Sequence, residues 1–126
     1  MSEALKVLLV EDHELNRDML SRRLLKRGFI VLLAEDGQQA IITAAQQQPD
    51  VILMDMSLPV LNGWEATRLL RQSARTAKIP VIALTAHALG NEQERALEAG
   101  CAAFETKPVD FEKLLGVIAL VTGRGL

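Results

Sequence analysis

Val51-Ile52-Leu53-Met54 is a run of four apolar residues that leads directly into a single carboxylate, Asp55. Two similar runs, Leu5 to Val10 and Val81 to Leu84, lie before and after it in the chain, and only Lys6 interrupts them. Apolar runs of this length without polar alternation are typical of strands that are buried on both faces. The three runs therefore predict the centre of a parallel sheet.

Weaker strands and helical stretches complete the pattern. Strands are also predicted over Ile30 to Ala34 and Ala102 to Glu105, and helices over 13–27, 37–47, 63–72, 89–98 and 110–121. This alternation favours an α/β fold in which helices cover both faces of a parallel sheet. The fourth helix offers mainly Ala96 and Leu97 as apolar anchors, so we expect it to be the least firmly packed.

The composition fits one globular domain and argues against other classes of protein. The chain has 126 residues, 49% of them hydrophobic, and a formal net charge of -2. That length can bury a core without disulfides, and the small net charge argues against a disordered tail. Because lysine and arginine are spread among acidic residues, direct binding to nucleic acid is not expected.

No stretch predicts a membrane span or a signal peptide. No apolar run approaches the roughly 20 residues of a membrane-spanning helix, and the first residues lack a basic-then-apolar layout. We therefore expect a cytoplasmic protein that does not bind membranes. Cys101 is the only cysteine, and its small neighbours predict a buried, inert thiol.

Polar residues follow four of the predicted strands. Glu11 and Asp12 follow the first strand, Asp55 the third, Thr85 the fourth and Lys107 the fifth. In a right-handed βαβ sheet the carboxyl ends of all parallel strands meet at one edge, where ligands bind. We therefore expect these five side chains to converge on one crevice.

The converging groups suit phosphoryl transfer. Three neighbouring carboxylates repel one another, and Mg²⁺, which prefers oxygen ligands, relieves that repulsion while leaving room for a phosphoryl oxygen. Lys107 and the Thr85 hydroxyl can hold the remaining phosphoryl oxygens. The set is suited to moving a phosphoryl group onto an aspartate.

Five motifs carry a resemblance to a known family. They are Val10-Glu11-Asp12, Leu53-Met54-Asp55-Met56-Ser57-Leu58-Pro59, Asn62-Gly63, Ala83-Leu84-Thr85-Ala86 and Thr106-Lys107-Pro108. Together they resemble the receiver domain of response regulators in two-component signalling, over essentially the whole chain. The resemblance implies a flavodoxin-like (βα)5 fold with strand order 2-1-3-4-5. It also implies a single receiver domain over residues 1–126, with a core of about 5–121 and no output domain.

The resemblance further implies a role for each site residue. Asp55 would accept a phosphoryl group from a phosphohistidine, and Lys107 would pair with that group. Asp12, Asp55 and the backbone oxygen of Ser57 would bind Mg²⁺ directly, with Glu11 acting largely through water. The reaction would be self-phosphorylation followed by slow autodephosphorylation, so the chain is not expected to be an enzyme in the ordinary sense.

A switch and a set of partners are implied as well. Thr85 would move toward the phosphoryl group and Phe104 would turn inward, which changes the face formed by helix 4, strand 5 and helix 5. The partners would be a histidine kinase, a hybrid kinase or a histidine phosphotransfer protein, and a downstream target bound through that face. Ser57 and His87 flank the path of hydrolytic water, so we expect both to tune the phosphoryl lifetime.

Departures from the family pattern are mild. Glu11 stands where Asp is commoner, and Asn62 replaces a frequent Asp, but neither change removes a group expected to bind the metal directly. Phe104 lacks the hydroxyl that a Tyr would offer to a partner.

Three other functions compete with this interpretation. Phosphatases of the haloacid dehalogenase type place their nucleophile after the first strand with an Asp two residues on, whereas Asp55 follows the third strand and precedes Ser57 by two. A flavin carrier is disfavoured because the acidic loop Glu11 to Glu14 would repel a phosphate. A receiver-shaped module that binds partners without phosphorylation remains the main alternative.

Other questions stay open. His13 adjoins two acids, but a solvent-facing histidine is favoured over a transition-metal ligand. Asp12 could also cap the first helix. Trp64 could pack on the sheet or face a partner. The sequence does not separate a phosphorelay intermediate, a phosphate sink and a direct effector, and it leaves a homodimer open.

Overall fold

The computed structural model describes residues 4–86 and 91–124, in which five strands alternate with five helices. In chain order these are β1 Lys6–Val10, α1 Glu14–Lys26, β2 Ile30–Ala34, α2 Gly37–Gln47, β3 Val51–Asp55, α3 Gly63–Gln72, β4 Val81–Thr85, α4 Glu92–Ala99, β5 Ala103–Thr106 and α5 Phe111–Thr122. All neighbouring strands are parallel, and their order is β2-β1-β3-β4-β5. The predicted α/β fold and strand order are confirmed.

The central strand β3 fixes where the strands end. It pairs with β1 on one side, where Val10 lies opposite Met54, and with β4 on the other, where Leu84 lies opposite Asp55. Every residue of β3 and β4 is buried, as the apolar runs predict. The carboxyl ends of β1, β3 and β4 therefore lie side by side at one edge of the sheet.

The sheet separates two apolar cores because alternate side chains of a strand point to opposite faces. On β3, Ile52 and Met54 pack on the side of α2, α3 and α4, whereas Val51 and Leu53 pack on the side of α1 and α5. Helices thus cover both faces, as predicted.

Side chains cap three of the helices. Asp36, Asn62 and Asp110 each accept a hydrogen bond from a backbone N–H three residues on, at the starts of α2, α3 and α5. The first helix differs, because its N-cap residue is His13 and no side chain caps it. The suggestion that Asp12 caps this helix is therefore wrong, and its carboxylate does not serve the helix end.

The fourth helix corrects one sequence prediction. It was expected over 89–98, of which residues 89–90 lie outside the described part, and the described helix runs from Glu92 to Ala99. Its buried residues are Ala96 and Ala99, whereas Leu97 is 51% exposed. The period of about 3.6 residues places positions 96 and 99 on one face and turns 97 away from it. Two alanines are the only buried residues of this helix.

None of the described helices is both long enough and apolar enough to cross a membrane.

Candidate functional site

The edge where the strands end collects the predicted polar residues. Asp55 and Thr85 are the last residues of β3 and β4, while Glu11 and Lys107 directly follow β1 and β5. Carboxylate oxygens of Glu11, Asp12 and Asp55 all lie within 4.8 Å of one another. The predicted convergence of the three acids is therefore found in the structure.

Lys107 bridges two of these acids. Its Nζ lies 3.1 Å from Oδ2 of Asp55 and 3.1 Å from Oε1 of Glu11. Its backbone N–H donates a 2.7 Å hydrogen bond to the carbonyl of Thr85, which ties the end of β5 to the end of β4. The ammonium group is thus held beside the Asp55 carboxylate by the sheet itself.

The three acids differ in their exposure to solvent. Glu11 and Asp55 are buried at 5% and 5% exposure, whereas Asp12 is exposed. The site therefore has a wall of two buried carboxylates and an open side at Asp12, through which a cation or a phosphoryl group can enter.

Protonation at the site follows from this arrangement. Burial, together with the neighbouring Asp55, raises the pKa of Glu11 above its usual value, and the hydrogen bond from Lys107 only partly opposes that rise. Burial alone would lower the pKa of Lys107, but attraction by Asp55 and Glu11 outweighs it and raises the pKa. Lys107 therefore stays charged, while Glu11 holds a proton more readily than an exposed glutamate.

The loop after β3 explains why Asn62 is followed by glycine. The Gly63 N–H donates a 3.1 Å hydrogen bond to the carbonyl of Met56, and a Cβ at Gly63 would lie 2.6 Å from the carbonyl oxygen of Asp55. Only glycine lets α3 begin this close to the site. The Ser57 N–H donates a 3.0 Å hydrogen bond to Oδ1 of Asp55, so this loop also orients the Asp55 carboxylate.

The proposed switch residues lie on adjacent strands. Thr85 is buried at 3% exposure, and Phe104 is partly buried against the core on the side of α2, α3 and α4. In the β4–β5 register Phe104 lies opposite Ala83, two residues before Thr85. The two side chains therefore belong to the same end of the sheet.

The remaining predicted residues are placed as follows. Ser57 is exposed beside Asp55, whereas His87 lies outside the described residues. The side chain of His13 is exposed, and the acidic cluster found among the described residues does not include it. Trp64 packs against the core and lies under the guanidinium of Arg95.

Sequence reasoning missed Arg17. Its Nη1 donates a 2.9 Å hydrogen bond to the backbone carbonyl of Glu11, and its Nη2 lies 3.4 Å from Oε1 of Glu35. An arginine in the first turns of a helix is usually solvated, so only its position after the acidic loop could have drawn notice.

The donor set fits Mg²⁺. All three side chains offer carboxylate oxygens, which hard divalent cations prefer, and they lie close enough to share one ion. Two of them are buried with a single lysine near them, so a cation would relieve their mutual repulsion.

Comparisons with known proteins agree with this geometry. Residues 7–119 match the family model described as the response regulator receiver domain. Polar-differentiation response regulator DivK of Brucella anthropi is 34% identical over 117 residues, which cover 93% of this chain and 95% of DivK. Hybrid signal transduction histidine kinase I of Dictyostelium discoideum is 38% identical over 120 residues, but that match spans 90% of this chain and only 7% of the kinase.

Solved structures extend the match to the fold. The receiver domain of sensor histidine kinase PA1611 from Pseudomonas aeruginosa, with magnesium coordinated in its active-site cleft, has a TM-score of 0.89 and 38% identity, covering 96% of this chain and 99% of that one. The Saccharomyces cerevisiae Ssk1 receiver domain, crystallised with the histidine phosphotransfer protein Ypd1, has a TM-score of 0.84 and 31% identity, covering 94% and 89%. With its strand order, its acidic cluster and a family match from residue 7 to residue 119, the chain belongs to the response regulator receiver domains of two-component signalling.

Proposed function

We propose that Asp55 is the phosphoacceptor of this receiver domain and takes its phosphoryl group from a phosphohistidine. The observation that carries the proposal is the setting of the Asp55 carboxylate. It ends the central strand, contacts the Lys107 ammonium at 3.1 Å, and lies within 4.8 Å of two further carboxylates. This combination offers a nucleophile, a cation for the phosphoryl oxygens and a site for Mg²⁺.

The transfer replaces a P–N bond of the donor with an O–P bond to Asp55. An Asp55 carboxylate oxygen attacks phosphorus, a new O–P bond forms, and the P–N bond to the donor histidine breaks. The leaving imidazole nitrogen keeps the electron pair of that bond and takes up a proton from solvent. Mg²⁺ bound by Asp12, Asp55 and the Ser57 carbonyl, with Glu11 acting through water, would neutralise charge on the transferred group.

Lys107 and Thr85 would hold the phosphoryl group after transfer. The phosphoryl oxygens replace the carboxylate oxygens as partners of the Lys107 ammonium, which the raised pKa keeps charged. Phosphorylation adds about 1.5 to 2 negative charges and new acceptor oxygens, so the Thr85 hydroxyl gains a partner on its side of the site. Phe104 would then turn inward, and the face of α4, β5 and α5 would change for a downstream target.

The partner that donates the phosphoryl group would approach over α1. Leu15 and Met19 are 68% and 58% exposed and lie one helical turn apart on that helix. Met19 lines a cavity of about 540 Å³ that reaches Lys107, and Leu20, Arg23 and Val109 line it as well. An apolar face beside the phosphoacceptor suits a histidine kinase, a hybrid kinase or a histidine phosphotransfer protein, the last being the partner of Ssk1 in its crystal structure.

Turnover would be limited to the chain's own aspartyl phosphate. Slow autodephosphorylation would set the lifetime of the signal, with Ser57 and His87 flanking the water that attacks. The chain would then act as a switch and not as an enzyme with an external substrate.

The test is the intact mass of the protein after incubation with acetyl phosphate, with and without Mg²⁺. The native chain should gain one phosphoryl group only with Mg²⁺, and Asp55→Asn should gain none. Asp18→Asn is the matched control, because Asp18 is exposed on α1 and pairs with Arg22. If neither acetyl phosphate nor a phosphohistidine donor modifies the native chain, it is a receiver-shaped binding module that does not accept phosphate.

A further inference from the structure

Arg17 connects two loops at the edge of the site. Its side chain is 15% exposed and reaches from α1 to the backbone carbonyl of Glu11, at 2.9 Å, and to the carboxylate of Glu35, at 3.4 Å. Glu11 belongs to the loop that carries two of the three acids, and Glu35 lies in the loop after β2. Arg17 is thus a brace between the loops that follow β1 and β2.

The carbonyl that Arg17 binds limits the directions open to the Asp12 side chain. The Glu11 C=O belongs to the planar peptide group that joins Glu11 to Asp12, so fixing the carbonyl also fixes the N–Cα bond of Asp12, about which the side chain can then only rotate. The Glu11 N–H is held on the other side by a 3.1 Å hydrogen bond to the carbonyl of Ala34. Sheet and arginine together hold both backbone polar groups of Glu11.

We propose that Arg17 is a positioning residue for the Mg²⁺ site, acting through the Glu11 carbonyl on the direction of the Glu11 and Asp12 carboxylates. The inference rests on the Mg²⁺ site of the proposed function and adds a residue that does not itself touch the ion. Groups that orient metal ligands in this way typically change metal affinity by about 10- to 100-fold when they are removed.

The direction in which Mg²⁺ affinity changes when Arg17 is removed distinguishes a positioning role from the electrostatic effect of its charge. Arg17 carries a positive charge close to a cation site, so its charge alone repels Mg²⁺ and its removal would tighten binding. Loss of positioning has the opposite result, because the acids no longer converge. A weaker Mg²⁺ affinity after removal of Arg17 therefore cannot come from the lost charge.

The experiment is a titration of the metal-free protein with MgCl₂, followed by the amide NMR signals of the site loops. Arg17→Met keeps the apolar stem and loses every donor, and we expect its Mg²⁺ Kd to rise about 10-fold. Arg17→Lys keeps the charge and one donor group, and its Kd should lie between those of the native chain and Arg17→Met. Arg22→Ala is the control, because it removes the same charge from a side chain of α1 that is 74% exposed, and its Kd should equal that of the native chain.

The outcomes are distinguishable. A Kd for Arg17→Met equal to or below the native value overturns the role of Arg17 while leaving the Mg²⁺ site intact. If Arg17→Met does not fold, Arg17→Lys decides, since an unchanged or lower Kd in that variant overturns the proposal and a higher one supports it. A native chain that binds no Mg²⁺ overturns the proposed function together with this inference.

Discussion

The guanidinium of Arg95 lies 4.0 Å from the centre of the Trp64 ring, and this contact joins α4 to the start of α3. The Trp64 Nε1 beneath it is buried and has no hydrogen-bond partner among the described residues. Trp64 directly follows Gly63, which abuts the backbone of Asp55. The stack therefore links the loop after β3 to a helix whose buried residues are two alanines.

Arg95→Ala should loosen α4. A cation–π contact contributes about 0.5 to 2 kcal/mol, which is large for a helix whose buried residues are two alanines. We expect faster amide hydrogen exchange in α4 and a changed emission of Trp64, which is the only tryptophan. Glu98→Ala on the same helix is the control. Unchanged exchange rates in Arg95→Ala would show that the stack does not hold the helix.

Gly63→Ala should destabilise the protein, whereas Gly116→Ala should not. A Cβ at Gly63 meets the Asp55 carbonyl oxygen at 2.6 Å, so the loop and α3 must shift, at a cost of about 1 to 3 kcal/mol. At Gly116, inside α5, a Cβ meets nothing within 4 Å, and alanine should add about 0.5 to 1 kcal/mol. Urea unfolding of both variants measures the difference. Equal stabilities would contradict the close approach at Gly63.

Mg²⁺ affinity should fall as the pH is lowered. Because Glu11 is buried, the fall should begin at a higher pH than it would if Glu11 were exposed. The pKa of Glu11 is raised by burial and by Asp55, so a proton competes with the metal at a higher pH than it would at an exposed glutamate. Titrations with MgCl₂ at about pH 7.5, 6.5 and 5.5 test this. Glu11→Gln cannot take up that proton, so its weaker affinity should vary less over the same range. An equally steep pH dependence in Glu11→Gln would assign the effect to another group.

Met19→Asp should slow phosphorylation by a protein donor and leave phosphorylation by a small donor unchanged. The substitution puts a charge on the exposed apolar face of α1 and leaves every residue at the strand ends unchanged. With a phosphorylated histidine phosphotransfer domain as donor we expect a loss of about tenfold or more in rate, and with acetyl phosphate no change. Leu120→Asp on α5, where Leu120 is 80% exposed, is the matched control. Equal losses with both donors would mean that Met19 acts on the chemistry.

Much of this architecture could be predicted because strands buried in a parallel sheet consist of consecutive apolar residues, which are easy to identify in a sequence. The runs ending near Asp55 and Thr85 located the strand ends, and strand-end geometry then brought Glu11, Asp12 and Lys107 to the same edge.

Contacts made by long side chains could not be predicted from the sequence. Arg17 and Arg95 act across two elements, and nothing in their local sequence indicates which backbone or ring they reach. Leu97 was taken as a core anchor because it is large and apolar, but α4 turns position 97 away from the face that carries Ala96 and Ala99. The size of a side chain alone did not identify the face that packs.

The two cores have a consequence for how such a protein can diverge. The apolar face that we propose for the phosphodonor lies on α1, which packs with α5 on one core, whereas α4 packs on the other. Substitutions at the exposed residues of α1 can therefore change the choice of donor without repacking the core beneath α4.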